Sequence, residues 1–217
     1  MLRGEEGIWP VGMQLYLPES WAKDAERREQ AAIPEELEFQ PKWQTALDLA
    51  DRAIESGIEN ECVTADAAYG DNTKFRADLR GRGLHYSVGI QGQCKVFLKP
   101  TRFVIRKSIM KGGPPTRRKL ATNSPRPRSA KEIAEAMPDE EWVEVTWRTG
   151  SKEDLKAEFL ALRVTPSHRW HNGDENQRGW LLCERPIGTD EGVRKYHFSS
   201  LPENTTIEEL VWVTHER

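Results

Sequence analysis

Asp66 is the residue whose type and position best suit chemistry. It closes the run Glu61-Cys62-Val63-Thr64-Ala65-Asp66, which reads as a short strand, and it precedes Ala67-Ala68-Tyr69-Gly70-Asp71-Asn72, which reads as a tight turn. In open α/β sheets, sites are built at the carboxyl ends of parallel strands. A carboxylate there suits a hard divalent cation such as Mg²⁺, which takes oxygen ligands. An aspartate in the same place can equally be a helix cap, so the residue alone leaves both roles open.

The second chemical feature is a block of one charge sign. No Asp or Glu occurs between Asp78 and Glu132, whereas the stretch holds Lys95, Lys99, Arg102, Arg106, Lys107, Lys111, Arg117, Arg118, Lys119, Arg126, Arg128 and Lys131. Such a block repels itself unless a polyanion lies against it. The plainer alternative is a solvated basic loop. Other chemistries find little support. His168 and His171 lie three apart in a polar loop without Cys or His partners, so a zinc site is not expected. There is no Gly-x₄-Gly-Lys-Ser/Thr loop, hence no expected ATP-driven step, and no Gly-x-Ser-x-Gly elbow.

Several elements must position these residues. Alternation at Met13, Leu15 and Leu17 predicts a short strand ending at Pro18, and residues 22–32 read as an exposed helix or loop. After Pro41, Trp43, Leu47, Ala50 and Ile54 fall on one helical face, and Gly57 stops the run. Beyond the Asp66 strand, Asp71 or Asn72 can cap a helix carrying Phe75 and Leu79 and ending near Gly81-Arg82-Gly83. Leu84, Tyr86 and Val88 alternate as a further strand. This helix–strand–helix–strand order implies parallel pairing and an α/β core. Residues 95–106 suggest one or two strands, 111–129 a Gly/Pro/Arg/Ser loop, and Ser129–Met137 a short helix. The runs Trp142–Trp147, Phe159–Val164, Trp180–Cys183 and Tyr196–Phe198 read as an antiparallel β subdomain, with Asn172-Gly173-Asp174 as one of its turns. Pro202, Thr205 and Glu208 give a capping-box start to a helix with Ile207, Leu210 and Val211.

Composition sets broader bounds. The 217 residues can form one sizeable core, or one core with an inserted subdomain, and the net charge of -3 by itself predicts no partner. Cys62, Cys94 and Cys183 are odd in number and in no metal-binding spacing, as in reduced cytosolic thiols. No apolar run approaches the roughly 20 residues of a membrane helix, and the first residues lack a signal-peptide pattern. A cytoplasmic location is therefore expected.

The run Val63-Thr64-Ala65-Asp66-Ala67-Ala68-Tyr69-Gly70-Asp71 resembles the second-aspartate motif of DDE superfamily transposases from bacterial insertion sequences. Leu15-Tyr16-Leu17-Pro18-Glu19-Ser20-Trp21 and Pro41-Lys42-Trp43 upstream are similar to that family. So, in order, are Trp142 with Trp147-Arg148-Thr149-Gly150, then Trp180-Leu181-Leu182-Cys183-Glu184, then Ser199-Ser200-Leu201-Pro202. The resemblance implies a partial ribonuclease H-like core over residues 1–90. It implies a β-rich insertion with a basic loop over 91–200, and the start of the final core helix over 201–217. It also implies three carboxylates holding two Mg²⁺ or Mn²⁺ ions for DNA cleavage and strand transfer at transposon ends, with Asp66 the middle carboxylate. The first aspartate would lie upstream of Met1 and the glutamate beyond Arg217; Glu216 is out of register, and Glu184 reads as structural or surface. The chain is accordingly expected to be a fragment, inactive alone, with DNA as its partner and homodimerisation left open. A DNA-binding or dimerising remnant, or a nuclease completed by a partner chain, are the alternatives. Phosphate contacts are expected from Arg102, Arg106, Lys107, Arg117, Arg118, Lys119 and Arg148. Trp147 with Arg148 could stack on or clamp an unpaired base, unless Trp147, like Trp142, is β-subdomain core.

Overall fold

A computed structural model describes residues 2–4, 7–60, 62–105, 118–149, 154–170, 177–189 and 191–215. The chain opens with strands β1 (Leu2–Gly4) and β2 (Gly7–Trp9), then helices α1 (Glu19–Ala22), α2 (Ala25–Gln30) and α3 (Lys42–Glu55). Strand β3 (Cys62–Ala65), helices α4 (Ala67–Gly70) and α5 (Thr73–Gly81), and strand β4 (His85–Ile90) follow. The remainder is β5 (Lys95–Phe97), β6 (Phe103–Ile105), β7 (Arg118–Leu120), β8 (Arg128–Ser129), α6 (Ala130–Glu135), β9 (Val143–Arg148), β10 (Leu155–Pro166), β11 (Gly179–Arg185), β12 (Lys195–Ser199) and α7 (Ile207–His215). Two compact units result, one of Met1–Glu61 with Lys74–Leu84, the other of Cys62–Thr73 with His85–Arg217. Among the described residues, no helix is long and apolar enough to cross a membrane.

In the first unit, α3 buries Leu47 and ends where Gly57 takes a positive φ of 74°, as the periodicity predicts. The Arg82 guanidinium grips Asp51 of α3 in two hydrogen bonds of 2.5 and 2.7 Å, and this holds the Asp51 carboxyl below its usual range. Of residues 22–32, expected as an exposed helix or loop, Ala25–Gln30 form the helix α2, which buries no residue. One expectation changes here. The strand expected over Met13–Leu17 is absent, because Met13 and Leu15 are 92% and 83% exposed and only Leu17 is buried. Three alternating apolar residues between Pro10 and Pro18 are too few to build a ladder when no partner covers them.

The second unit is an open mixed sheet of eight strands in the order β3-β4-β12-β11-β10-β5-β8, with β9 also on β10. The parallel pairing expected from the helix–strand alternation is present as β3 on β4, with Ala65 opposite Val88. The antiparallel β region is present too, but it does not stand apart. Its last strand, β12, pairs directly with β4 (Phe198 opposite Val88, His197 opposite Gly89), so the α/β part and the β-rich part share one sheet. Both faces are covered: Phe159 and Leu182 point to α7, while their neighbours Leu160, Leu181 and Cys183 are equally buried on the other side. Burial alone pushes the Cys183 thiol up to about 12.

Helix α7 lies on this sheet through Leu210 and Val211, packed with Val145, Ala157, Phe159 and Leu182. Full burial of each such side chain contributes about 1.5–3 kcal/mol. Thr214 donates to the Leu210 carbonyl at 2.6 Å and accepts from Ser87 of β4 at 2.6 Å, which fixes the helix's rotation. Its capping box is Thr206 with Glu209, one residue beyond the predicted Thr205 with Glu208. The α6 helix has the Ser129/Glu132 capping box. Two strands emerge from the loop expected over 111–129: β7, which pairs with β6, and β8, which pairs with β5.

Gly70 and Gly89 hold α4 against β4. A methyl group at Gly70 would overlap the Gly89 carbonyl oxygen, and one at Gly89 would fall 2.9 Å from the Ala67 nitrogen. Gly70→Ala should therefore destabilise the fold by about 3 kcal/mol, seen as a lower denaturant midpoint with an unchanged slope. An unaltered midpoint would mean that α4 can move away from the sheet at little cost.

Candidate catalytic carboxylate and nucleic-acid surface

Asp66 leaves β3 and enters α4, and both readings of its position are compatible in one geometry. Its Oδ1 accepts the Ala68 N–H at 2.9 Å, the helix-cap role, while the residue as a whole stays exposed. Its carbonyl accepts the Gly70 N–H at 2.9 Å and so sets the turn. Asp71 then ties the end of α4 to the segment after β4, since its Oδ1 accepts the Gln91 N–H at 2.9 Å and the Cys94 thiol at 3.1 Å. Asp66 is thus presented on a short element fixed at both ends. Its oxygens are the right donors for a divalent cation, but among the described residues no group of three or more His, Cys, Asp or Glu is placed to hold one.

Of the two roles expected for Glu184, structural or surface, the geometry fits the structural one. It is only 7% exposed, with Lys195 Nζ at 2.9 and 3.2 Å and His215 Nε2 at 3.1 Å. The imidazole makes no aligned hydrogen bond there, so the contact becomes an ion pair only when the ring is protonated. His215 in turn stacks on Trp147 with ring centroids 4.3 Å apart, and Phe159 meets both rings edge-on. Burial alone would raise the Glu184 carboxyl, but His215 and Lys195 outweigh it and hold it below its ordinary range. The available signal was period two: Leu182 and Glu184 share a face, and Leu182 is core.

Glu184 and Asp66 lie toward the same end of the sheet, with β4 and β12 between their strands. Three strand spacings come to about 14 Å. Two metals of one centre sit roughly 3.5–4 Å apart, so Glu184 cannot complete a centre at Asp66.

The expected DNA-contacting residues separate into two places. Arg102, Arg118 and Lys119 come together on the two-stranded β6–β7 ribbon, where Arg102 and Lys119 are exposed. Arg106, Lys107 and Arg117 lie outside the described residues. Trp147 and the exposed Arg148 are on β9. That strand pairs with Leu155–Phe159 of β10, whereas β5, just before the ribbon, pairs with Thr165 and Pro166. Ten residues of β10 separate these ends, about 33 Å of extended strand. One face of the Trp147 indole is taken by His215. Trp142 is buried beneath the Arg185 guanidinium, 4.3 Å from the ring centroid.

An open mixed sheet with an exposed strand-end carboxylate and a basic ribbon defines an α/β domain suited to acting on a polyanion. Residues 2–154 match the family described as DDE superfamily endonuclease, and the chain belongs to that family. The family implies DNA as substrate and divalent metal ions as cofactors, on a ribonuclease H-like α/β fold with which this sheet agrees. No curated protein matches the sequence.

The depressed Glu184 carboxyl makes stability pH-dependent. Its contribution is complete above the unfolded value of about 4.3 and is lost as pH falls through the lower folded value. Glu184→Gln should lower stability at pH 7 and flatten the acid limb of denaturant midpoint against pH. A variant with the parent's acid limb would show that other carboxylates carry it.

Proposed function

We propose that this chain belongs to an insertion-sequence transposase and contributes Asp66 to a divalent metal centre that cuts and rejoins DNA. The observation that carries this is the placement of Asp66. It sits exposed at the carboxyl end of a parallel strand, on a turn that the contact of Gly70 with Gly89 of β4 fixes against the sheet. A divalent ion, Mg²⁺ or Mn²⁺, would supply charge stabilisation for in-line phosphoryl transfer when bound. Asp66 supplies one oxygen donor toward it, and the basic residues of the ribbon and Arg148 hold DNA phosphates. Because no group of three or more His, Cys, Asp or Glu among the described residues is placed to hold a metal ion, the chain by itself binds DNA without cutting it, and its site of action is the nucleoid.

Mn²⁺ at millimolar concentration should broaden the amide signals of Asp66, Ala67 and Ala68 in an NMR titration, and Asp66→Asn should abolish the effect. Broadening centred elsewhere, or unchanged in the variant, would remove Asp66 from the metal centre. In parallel, supercoiled plasmid incubated with the chain and Mg²⁺ should stay intact. Metal-dependent nicking would instead indicate a nuclease that needs no other carboxylates.

A further inference from the structure

The β6–β7 ribbon carries part of the basic block. Val104 pairs with Lys119 and Phe103 with Leu120, in a two-stranded sheet separate from the eight-stranded one. Its base is anchored by aromatic packing. The Phe103 ring stacks on Trp170 with centroids 5.2 Å apart, and Phe97 of β5 meets both rings edge-on at 5.8 and 6.0 Å. Strand alternation then sorts the faces. Phe103 is on the anchored face. Arg102, Val104 and Lys119 are on the opposite one, where all three are exposed and Val104 is 39% so. That face carries two cations around one apolar side chain, in a stretch without any acid.

We propose that this outer face of the ribbon enters the major groove of duplex DNA. The proposal rests on the DNA-acting reading above and adds to it the form of nucleic acid and the mode of contact. The major groove, about 12 Å wide, admits a two-stranded ribbon in undistorted duplex, whereas the minor groove, about 6 Å wide, takes one only where the DNA is kinked or widened. Arg102 and Lys119 flank the groove's phosphates or reach guanine edges, and Val104 meets a thymine methyl. Rigid anchoring at Phe103 lowers the ordering cost of presenting them.

The test is fluorescence anisotropy of the whole chain on a labelled duplex of about two helical turns, at several salt concentrations. Arg102→Glu/Lys119→Glu should weaken binding by at least about tenfold and lower the salt slope by about two. The same charge change at Lys23 and Lys42 should have a smaller effect. Methyl green, a major-groove ligand, should displace the protein, and netropsin, a minor-groove ligand, should not. A melting curve confirms that each variant is folded, and Arg102→Gln/Lys119→Gln gives a milder second reading of the same face. Parental binding by both ribbon variants would overturn the proposal while leaving DNA binding intact. So would displacement by netropsin alone, or equal binding to a single strand. No binding by the parent at any salt would overturn the DNA-acting reading itself.

Discussion

The close approach of α4 to β4 is the constraint on which the candidate site depends. Two glycines meet there without side chains, so the backbone of Asp66 and Ala67 lies directly over Gly89. Glycine costs more conformational entropy on folding than any other residue, and the return here is positional. The strand-end carboxylate is carried on a turn that cannot drift from the sheet. The same Gly89 stands opposite His197 of β12. The chain therefore leaves the site region after β4, runs through β5 to β11, and comes back to hydrogen-bond to the strand it left. Site and β-rich region are consequently mechanical parts of one sheet.

Helix α7 closes that arrangement from above, and its contacts divide by purpose. Leu210 and Val211 supply burial, which is non-directional and would tolerate rotation of the helix. Thr214 on Ser87 and His215 on Glu184 and Trp147 tolerate much less. A buried ionised carboxylate is expensive to desolvate, and a pair of this kind is weak as a source of net stability. Its effect is to make one docking of the helix better than its neighbours, because any rotation leaves Glu184 buried with Lys195 alone.

Most of the core could be read from the residue pattern because each strand and helix carried its own period. The Asp66 strand and the four β runs after residue 141 met sheet partners that the pattern implied, and the α3 stripe buries Leu47 while leaving Ile54 exposed. The misreadings have local physical causes. Met13 and Leu15 alternate, yet nothing covers them, so periodicity without burial made no strand. Lys119 and Leu120 lie in a Gly/Pro-rich stretch whose composition suggests a loop, and only pairing with β6, visible in space, reveals the ribbon. Asp66 was legible as a candidate because its chemistry and its strand-end position are both local. Glu184 was not, because what distinguishes it is the company of Lys195 and His215, 11 and 31 residues further along the chain.

The net charge of -3 and the basic ribbon are not in conflict. Exposed charges are screened over about 10 Å at moderate ionic strength, so acids elsewhere on the surface do little to cancel a cluster free of them locally. What a polyanion meets at the ribbon is set by the absence of any Asp or Glu from residue 79 to residue 131, not by the sum over the chain. On the proposed reading, chemistry and grip are separated along the sequence: one carboxylate held by backbone packing before residue 71, and cations on the β6–β7 ribbon after residue 101. Cations around a carboxylate favour its ionised form but repel an incoming metal ion. On the proposed reading Asp66 takes the cation while Arg102 and Lys119 take phosphate, so neither group has to serve both.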